Sequence, residues 1–366
     1  MTRGPLVAAD ELFDHPIAGD LSWTEKVCAM AALADGSVQA AFGMGKYANR
    51  NVLDAYAGVS RGKEQWTVRA SRALAPDVDK LCVGPITYEV IEPLGAVRFA
   101  LASNDIVPIT FEFVFRAALP CTLEDESRFE KGLMRYHQIG AAEGWIAIDD
   151  VRRELSDANS VSTRDHSWGV RHNVGVPEKD EPHRSNVTST VVWSPILMQR
   201  DDGSRYGIHT FYQRHAVGDW ERAELIGGIE HADGEREPYA ALTPTCQVRD
   251  DNRRLMSATF DATMSDGSSR PLAITALGDT GFHLGTGLYF GFDGHWHGED
   301  RGDLNVDGEH IADCTEPGTA RRIHQIRDNL VRVEDAVGGG VGVGNMQTIF
   351  SGPHPDAGLT EEKSFM

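Results

Sequence analysis

The run Arg164-Asp165-His166-Ser167-Trp168-Gly169-Val170-Arg171 packs more reactive side chains into eight positions than any other stretch of the chain. Asp165 and His166 offer a carboxylate and an imidazole, groups that give and take protons near neutral pH. Arg164 and Arg171 would hold Asp165 ionised or grip an anionic group. Trp168 is a large apolar surface that chains rarely leave in water. Alternate positions are not apolar, so the run does not read as an ordinary core strand. The same residues would also make a salt-bridged corner locking two domains together. Residue types alone leave both readings open.

A second polar cluster, Tyr136-His137-Gln138, interrupts an otherwise apolar run, with Leu133 and Ile139 nearby. Polar groups inside a strand-like segment are expected to point into a cavity or to be satisfied within the core. His295-Trp296-His297 would place two histidines on one face of a strand, a spacing that can ligate a metal if His283 or His310 supplies a third donor. Asp303-x-Asn305-x-Asp307-Gly308 fits the first half of a calcium loop, but Cys314 stands where the bidentate glutamate belongs. Gly58-Val59-Ser60-Arg61-Gly62 fits a nucleophile elbow, yet the residues after it alternate as a strand rather than open a helix. No metal or other cofactor is therefore expected to be required.

These groups must be positioned by strands. Ile109, Phe111, Phe113 and Phe115 alternate with Thr110, Glu112 and Arg116, and similar alternation marks Trp66–Ala70, Ile86–Val90 and Val97–Leu101. Met134–Gly140 and Trp145–Ile148 read as another pair of strands. Later strands are expected at Val187–Trp193, Tyr206–Gln213, Glu221–Ile229, Leu255–Met264, Gly287–Phe292, Ile323–Ile326, Leu330–Val333 and Val341–Phe350. Asp-Gly at residues 35, 202, 233, 266, 293 and 307 punctuates them as hairpin turns. Only Asp10–His15 and Thr319–Arg322 suggest short helical turns. The expected fold is all-β, two consecutive antiparallel barrels covering residues 1–175 and 176–366. The charged, proline-bearing stretch Val176–Ser185 joins them. Barrels of about eight strands close their edges and can hold one small ligand.

Composition narrows the partners. The chain has 366 residues and a formal net charge of −20, which repels nucleic acid and anionic membranes. Its five cysteines are odd in number and lack Cys-x-x-Cys spacing, against a disulfide framework or zinc ribbon. No secretory segment or membrane-length apolar run is visible, so a cytoplasmic protein without membrane insertion is expected.

Together with Tyr136-His137-Gln138-Ile139-Gly140 and Gly144-Trp145-Ile146, the 164–171 run resembles the lipocalin-like double-barrel family that includes carotenoid 1,2-hydratases (hydroxyneurosporene synthases), kievitone-type hydratases and AttH-like proteins. That family carries an Asp-His-x-Trp-Gly signature near the junction of its barrels. His295-Trp296-His297-Gly298 and Gly342-Val343-Gly344-Asn345 are similar to its second-barrel strands. Ser167 stands where hydratases usually carry asparagine. The resemblance implies two calycin-like barrels with an apolar cavity near their junction, and cofactor-free addition or removal of water on a small hydrophobic, isoprenoid substrate. It implies Asp165, His166, Tyr136 and Arg171 as catalytic. Trp168, His137, Ser167, Trp145 and His297 would contact substrate. A non-catalytic binder of lipid or terpenoid, and an isomerase or cyclase, are the alternatives.

Overall fold

The computed structural model describes residues 6–15, 19–124, 132–171, 174–175, 187–279 and 281–359. The expected joining stretch Val176–Ser185 lies outside them. The first sheet takes β1 (Trp23–Leu33), β2 (Gln39–Tyr47), β3 (Val52–Arg61), β4 (Glu64–Ala73), β5 (Cys82–Val83), β6 (Ile86–Glu92), β7 (Ala96–Leu101), β8 (Ile109–Ala117), β9 (Thr122–Glu124), β10 (Met134–Ile148), β11 (Val151–Leu155) and β12 (Ser160–Val170). The second takes β13 (Thr188–Arg200), β14 (Arg205–Val217), β15 (Trp220–Glu230), β16 (Arg236–Val248), β17 (Leu255–Met264), β18 (Ser269–Ala276), β19 (Phe282–His283), and, after a further strand β20 (Leu304–Ile311), β21 (Arg327–Asp335) and β22 (Gly340–Ser351). One short helix, α1 (Pro317–Ile323), is capped by Glu316, whose carboxylate accepts the backbone N–H groups of Gly318 and Thr319.

The architecture is two β-barrels in tandem. Pairing of β18 with β21 closes the second into a ring running β13 to β18, then β21 and β22. The first barrel is nearly closed, in the order β20-β4-β3-β2-β1-β12-β10-β8-β7-β6-β5. Alternation produced these elements as expected. Ile109, Phe111, Phe113 and Phe115 are all buried in the first core, and Glu112 and Arg116 stay in water. Asp-Gly turns join β1 to β2, β13 to β14, β15 to β16 and β17 to β18.

Several segments differ from expectation. Met134–Ile148 is one continuous strand rather than two. Residues 164–170 form the end of β12, a strand with polar groups on both faces. Leu284–Gly287 is a 3-10 turn, and Ile323 ends α1. Asp307-Gly308, read as a turn and half of a calcium loop, lies inside β20. There a Cβ on Gly308 would sit 2.1 Å from the Thr67 carbonyl oxygen, so only glycine allows the pairing.

Although β20 follows nineteen strands of sequence, it pairs with β4 of the first barrel, His310 opposite Trp66 and Val306 opposite Ala70. A fragment ending at residue 175 therefore leaves the β4 edge bare. We expect such a fragment to aggregate where the full chain stays soluble, because an unpaired edge templates association. A monodisperse, folded 1–175 fragment in size-exclusion chromatography would contradict this. No helix among the described residues is long and apolar enough to cross a membrane.

Candidate active site at the barrel junction

β12 is hydrogen-bonded between β1 and β10, and its register assigns each side chain of the 164–171 run to a face. Cross-strand partners share a face, and neighbours along a strand do not. Asp165 stands opposite Cys28 and His137, and Ser167 opposite Lys26 and Arg135. Arg164, His166 and Trp168 stand opposite Gln138, Tyr136 and Met134, pointing into the first barrel with the core residues Val27 and Ala29. Gly169 ends the run at φ +144°, where a Cβ would meet the Gly132 carbonyl oxygen at 2.2 Å. Glycine here lets the start of β10 approach.

The outer face of β1 and β12 packs on the second barrel. Met30, Ala32 and Val161 meet Leu330, with Leu277 and Val343 beside them. Further along the same face the contact turns polar. Arg135 Nε is 3.9 Å from Asp165 Oδ2, too long for a hydrogen bond. Arg171 donates to Ser167 Oγ at 2.6 Å. Lys26 Nζ lies 2.9 Å from His297 Nε2 and 3.7 Å from the Tyr289 ring centroid. Cys28 Sγ and the Tyr289 hydroxyl are 2.8 Å apart. His297 Nδ1 faces Asp54 Oδ2 at 3.3 Å. From the second barrel, Asn345 donates to Asp328 Oδ1 at 3.1 Å.

Burial sets the electrostatics of this face. It raises the Asp165 carboxyl above the ordinary range, while Arg135 and Arg171 pull the other way. It pushes Asp328 up to about 7, with Asp165 adding to the rise and Asn345 and Gln347 opposing it. It brings the Lys26 ammonium down to about 8 and the Cys28 thiol up to about 11. Two carboxyls held toward their acid forms and an amine held toward its free base are what proton transfer near neutral pH requires.

Beside this patch a charged cluster joins the barrels. His137 Nδ1 faces Glu124 Oε1 at 3.1 Å and its Nε2 faces Glu230 of β15 at 3.0 Å. Trp193 of β13 donates to Glu124 at 2.8 Å, and the His209 ring of β14 stacks on His137 at 3.8 Å. Burial opposes charging of His137, but Glu230 and Glu124 raise it to about 9. Burial likewise works against the Glu230 anion, yet His137 lowers it to about 2. The His137 contribution is thus complete below its ordinary 6.5 and lost as pH rises through about 9. The Glu230 contribution is complete above 4.5 and lost as pH falls through about 2. We expect thermal unfolding to show stability falling from pH 6.5 toward 9, by at most about 1.4 kcal/mol per pH unit for this group. His137→Gln should flatten that limb; an unchanged alkaline slope in the variant would contradict the assignment.

On the inner face, residues 8–15 form a strap across the first barrel. Arg164 donates two hydrogen bonds to Glu11, at 2.7 and 2.5 Å, and a further one to Gln138. Tyr88 and the Leu94 N–H also bond Glu11. Tyr136 OH is 3.1 Å from His166 Nδ1, and His166 Nε2 is 3.0 Å from Glu25 Oε1. His15 Nδ1 reaches the same oxygen at 2.6 Å while its ring stacks on Trp168 at 3.7 Å. Among the described residues, two groups of three hold donor atoms close enough to share a metal ion: His15, Glu25 and His166, and Glu124, His137 and His209.

The sequence-derived site therefore divides. Asp165, Ser167, Arg171 and His297 come together at the junction. His166, Tyr136 and Trp168 lie on the other side of the sheet, so Asp165 and His166 do not form an acid–base pair. Arg164 holds Glu11 rather than Asp165. His137 is at the junction, but Glu124 and Glu230 take both its nitrogens. Trp145 is half-buried on the outer wall of the first barrel, under the Arg152 guanidinium at 4.5 Å. His295 and His297 sit in a loop and diverge: His295 bonds Glu299 at 3.0 Å. The surroundings of Asp165 are charged rather than apolar. Sequence reading missed Lys26, Cys28, Tyr289 and Asp328. The signal for the first was present, since Glu25-Lys26 puts a charge on each face of an otherwise apolar strand.

Residues 5–360 match the model of one family, described as Family of unknown function (DUF8625). No curated protein matches the sequence. Among solved structures, an AttH-like protein from Nitrosomonas europaea aligns with a TM-score of 0.54 at 13% identity, covering 95% of this chain and 99% of its own. CghA with Sch210972 aligns at 0.51 and 10% identity, covering 93% and 89%. Kievitone hydratase from Nectria haematococca aligns less closely, at 0.47 and 11% identity over 89% of each chain. The likeness to the first two is one of fold.

Proposed function

Because the chain belongs to the DUF8625 family of unknown function over nearly its whole length, and membership brings no chemistry with it, we propose an activity from the junction site. The protein is a hydro-lyase that adds water to, or removes it from, a hydrophobic, isoprenoid-type alcohol or alkene without a redox or nucleotide cofactor. The observation that carries this reading is Asp165, a carboxyl raised by burial on the face where the two barrels meet, with a second raised carboxyl, Asp328, across from it.

In the dehydrating direction Asp165 in its acid form gives a proton to the departing hydroxyl, and water leaves. A neighbouring C–H proton then passes to Asp328 or to the free amine of Lys26. Hydration runs the same steps backwards. Arg171, with Ser167, orients the leaving oxygen and keeps Asp165 from rising too far. His297 fixes the Lys26 amine. The sequence resemblance to carotenoid and kievitone-type hydratases points the same way.

The test is conversion of a panel of tertiary and allylic isoprenoid alcohols, and of the corresponding alkenes, by purified protein in buffer alone. Interconversion of one alcohol–alkene pair is expected. Tight binding of a panel member with unchanged recovery would make the protein a carrier instead.

A further inference from the structure

We propose that His15, Glu25 and His166 form a binding site for one divalent cation of the zinc class inside the first barrel. The site fastens the strap of residues 8–15 over the barrel mouth. It lies on the opposite face of β12 from Asp165 and is independent of the hydro-lyase reading.

Three donors converge on one point. His15 Nδ1 and His166 Nε2 stand 2.6 and 3.0 Å from a single carboxylate oxygen, Glu25 Oε1. Bonds of about 2.0–2.1 Å to nitrogen and oxygen in a tetrahedron separate ligand atoms by about 3.3 Å, so widening these two separations by about 0.7 and 0.3 Å admits the ion. Two imidazoles and one carboxylate are a zinc-type donor set with a fourth position left for water. The outer partner of His166 also fits: its other nitrogen faces the Tyr136 hydroxyl at 3.1 Å, while the other nitrogen of His15 has Asp10 Oδ1 near it at 3.7 Å, an ion-pair distance rather than a hydrogen bond. A ligating histidine usually turns its remaining N–H to such an oxygen.

One carboxylate oxygen, Glu25 Oε1, serves both histidines, and an ion seated between it, His15 Nδ1 and His166 Nε2 would engage all three donor atoms at once. The nearby charges permit it. Glu11 is neutralised by Arg164, and Lys46, opposite Glu25 in the sheet, spends its ammonium on the Phe13 carbonyl at 2.8 Å.

The other cluster fails the same test. His209 Nδ1 faces the Arg236 guanidinium at 3.2 Å and accepts from it, which leaves the proton on Nε2, the atom nearest Glu124. Arg135 lies 3.4 Å from Glu124. Positive charge is already supplied there by protein.

The experiment strips the full-length protein with chelator, then titrates it with zinc by calorimetry and with cobalt by visible absorption. One equivalent of each metal should bind, with a ligand-field band for cobalt. His15→Gln, on the strap and outside the barrel wall, should weaken binding by more than about 100-fold, beyond the loss from an outer-shell change. His209→Gln should leave it intact. The circular dichroism of His15→Gln should match wild type, so loss of metal cannot be put down to unfolding. Absence of heat and of a cobalt band, or binding that survives His15→Gln, would overturn the proposal and make His15 an imidazolium between two carboxylates. Loss of binding in His209→Gln would move the ion to the junction cluster.

Discussion

Asp165→Asn is expected to lower turnover of an accepted alcohol by about 10²–10⁴-fold, the usual cost of losing a general acid–base group, with little change in thermal midpoint. Asparagine keeps the shape of the side chain but cannot titrate. Burial already disfavours the Asp165 anion, and Arg135 approaches it only to 3.9 Å. Removing the charge therefore breaks no hydrogen-bonded pair and should leave stability level or slightly higher. His166→Gln is the matching control. It disrupts the contacts to Tyr136 and Glu25 inside the barrel, so it should lower the midpoint while affecting chemistry far less. If Asp165→Asn turns over normally, or loses activity only by unfolding, the catalytic assignment fails.

Breaking the Arg164–Glu11 pair should give the largest stability loss of any single change considered. Both side chains are fully buried, and burial, which works against the Glu11 anion, is overcome by the Arg164 charge and hydrogen bonds. Glu11→Gln leaves the guanidinium buried without its counter-charge, which costs about 3–5 kcal/mol. For barrels of this size each kcal/mol moves the midpoint by about 2–4 °C, so a drop of roughly 6–20 °C is expected. Replacing both residues by apolar ones of similar volume should recover much of it, since a buried pair gains little over good packing. A Glu11→Gln midpoint within about 2 °C of wild type would show that the strap is not anchored there.

How much of this was legible in the sequence depends on range. Ile109–Phe115 announced a half-buried strand because alternation is local, and the Asp-Gly turns announced hairpins for the same reason. The polar run 164–171 stood out because an arginine, an aspartate, a histidine and a tryptophan in succession have no place in an ordinary core. What composition could not supply was the facing. A strand sends neighbours to opposite sides, so Asp165 and His166, adjacent in sequence, serve different compartments. Nor could it supply long-range returns. Residues 303–308 carry Asp-x-Asn-x-Asp-Gly and read as a turn, yet all but the first lie in Leu304–Ile311, which completes a sheet begun at residue 23 because β4 presents an edge to it. Tyr289 and Asp328 reach the junction from the second half of the chain, and no local pattern marks them. Glu11 and His15 were read only as part of a short helical turn; their partners, Arg164 and Glu25, come from β12 and β1.

The most direct test of the junction site as a hydro-lyase is oxygen exchange. Purified protein would be incubated with the best-accepted alcohol or alkene in water enriched in heavy oxygen, and the product alcohol read by mass spectrometry. Wild type should place solvent oxygen in the product, and Asp165→Asn should place almost none over the same time. Conversion to an isomer or ring product with no solvent oxygen incorporated would contradict hydration chemistry and identify an isomerase or cyclase instead.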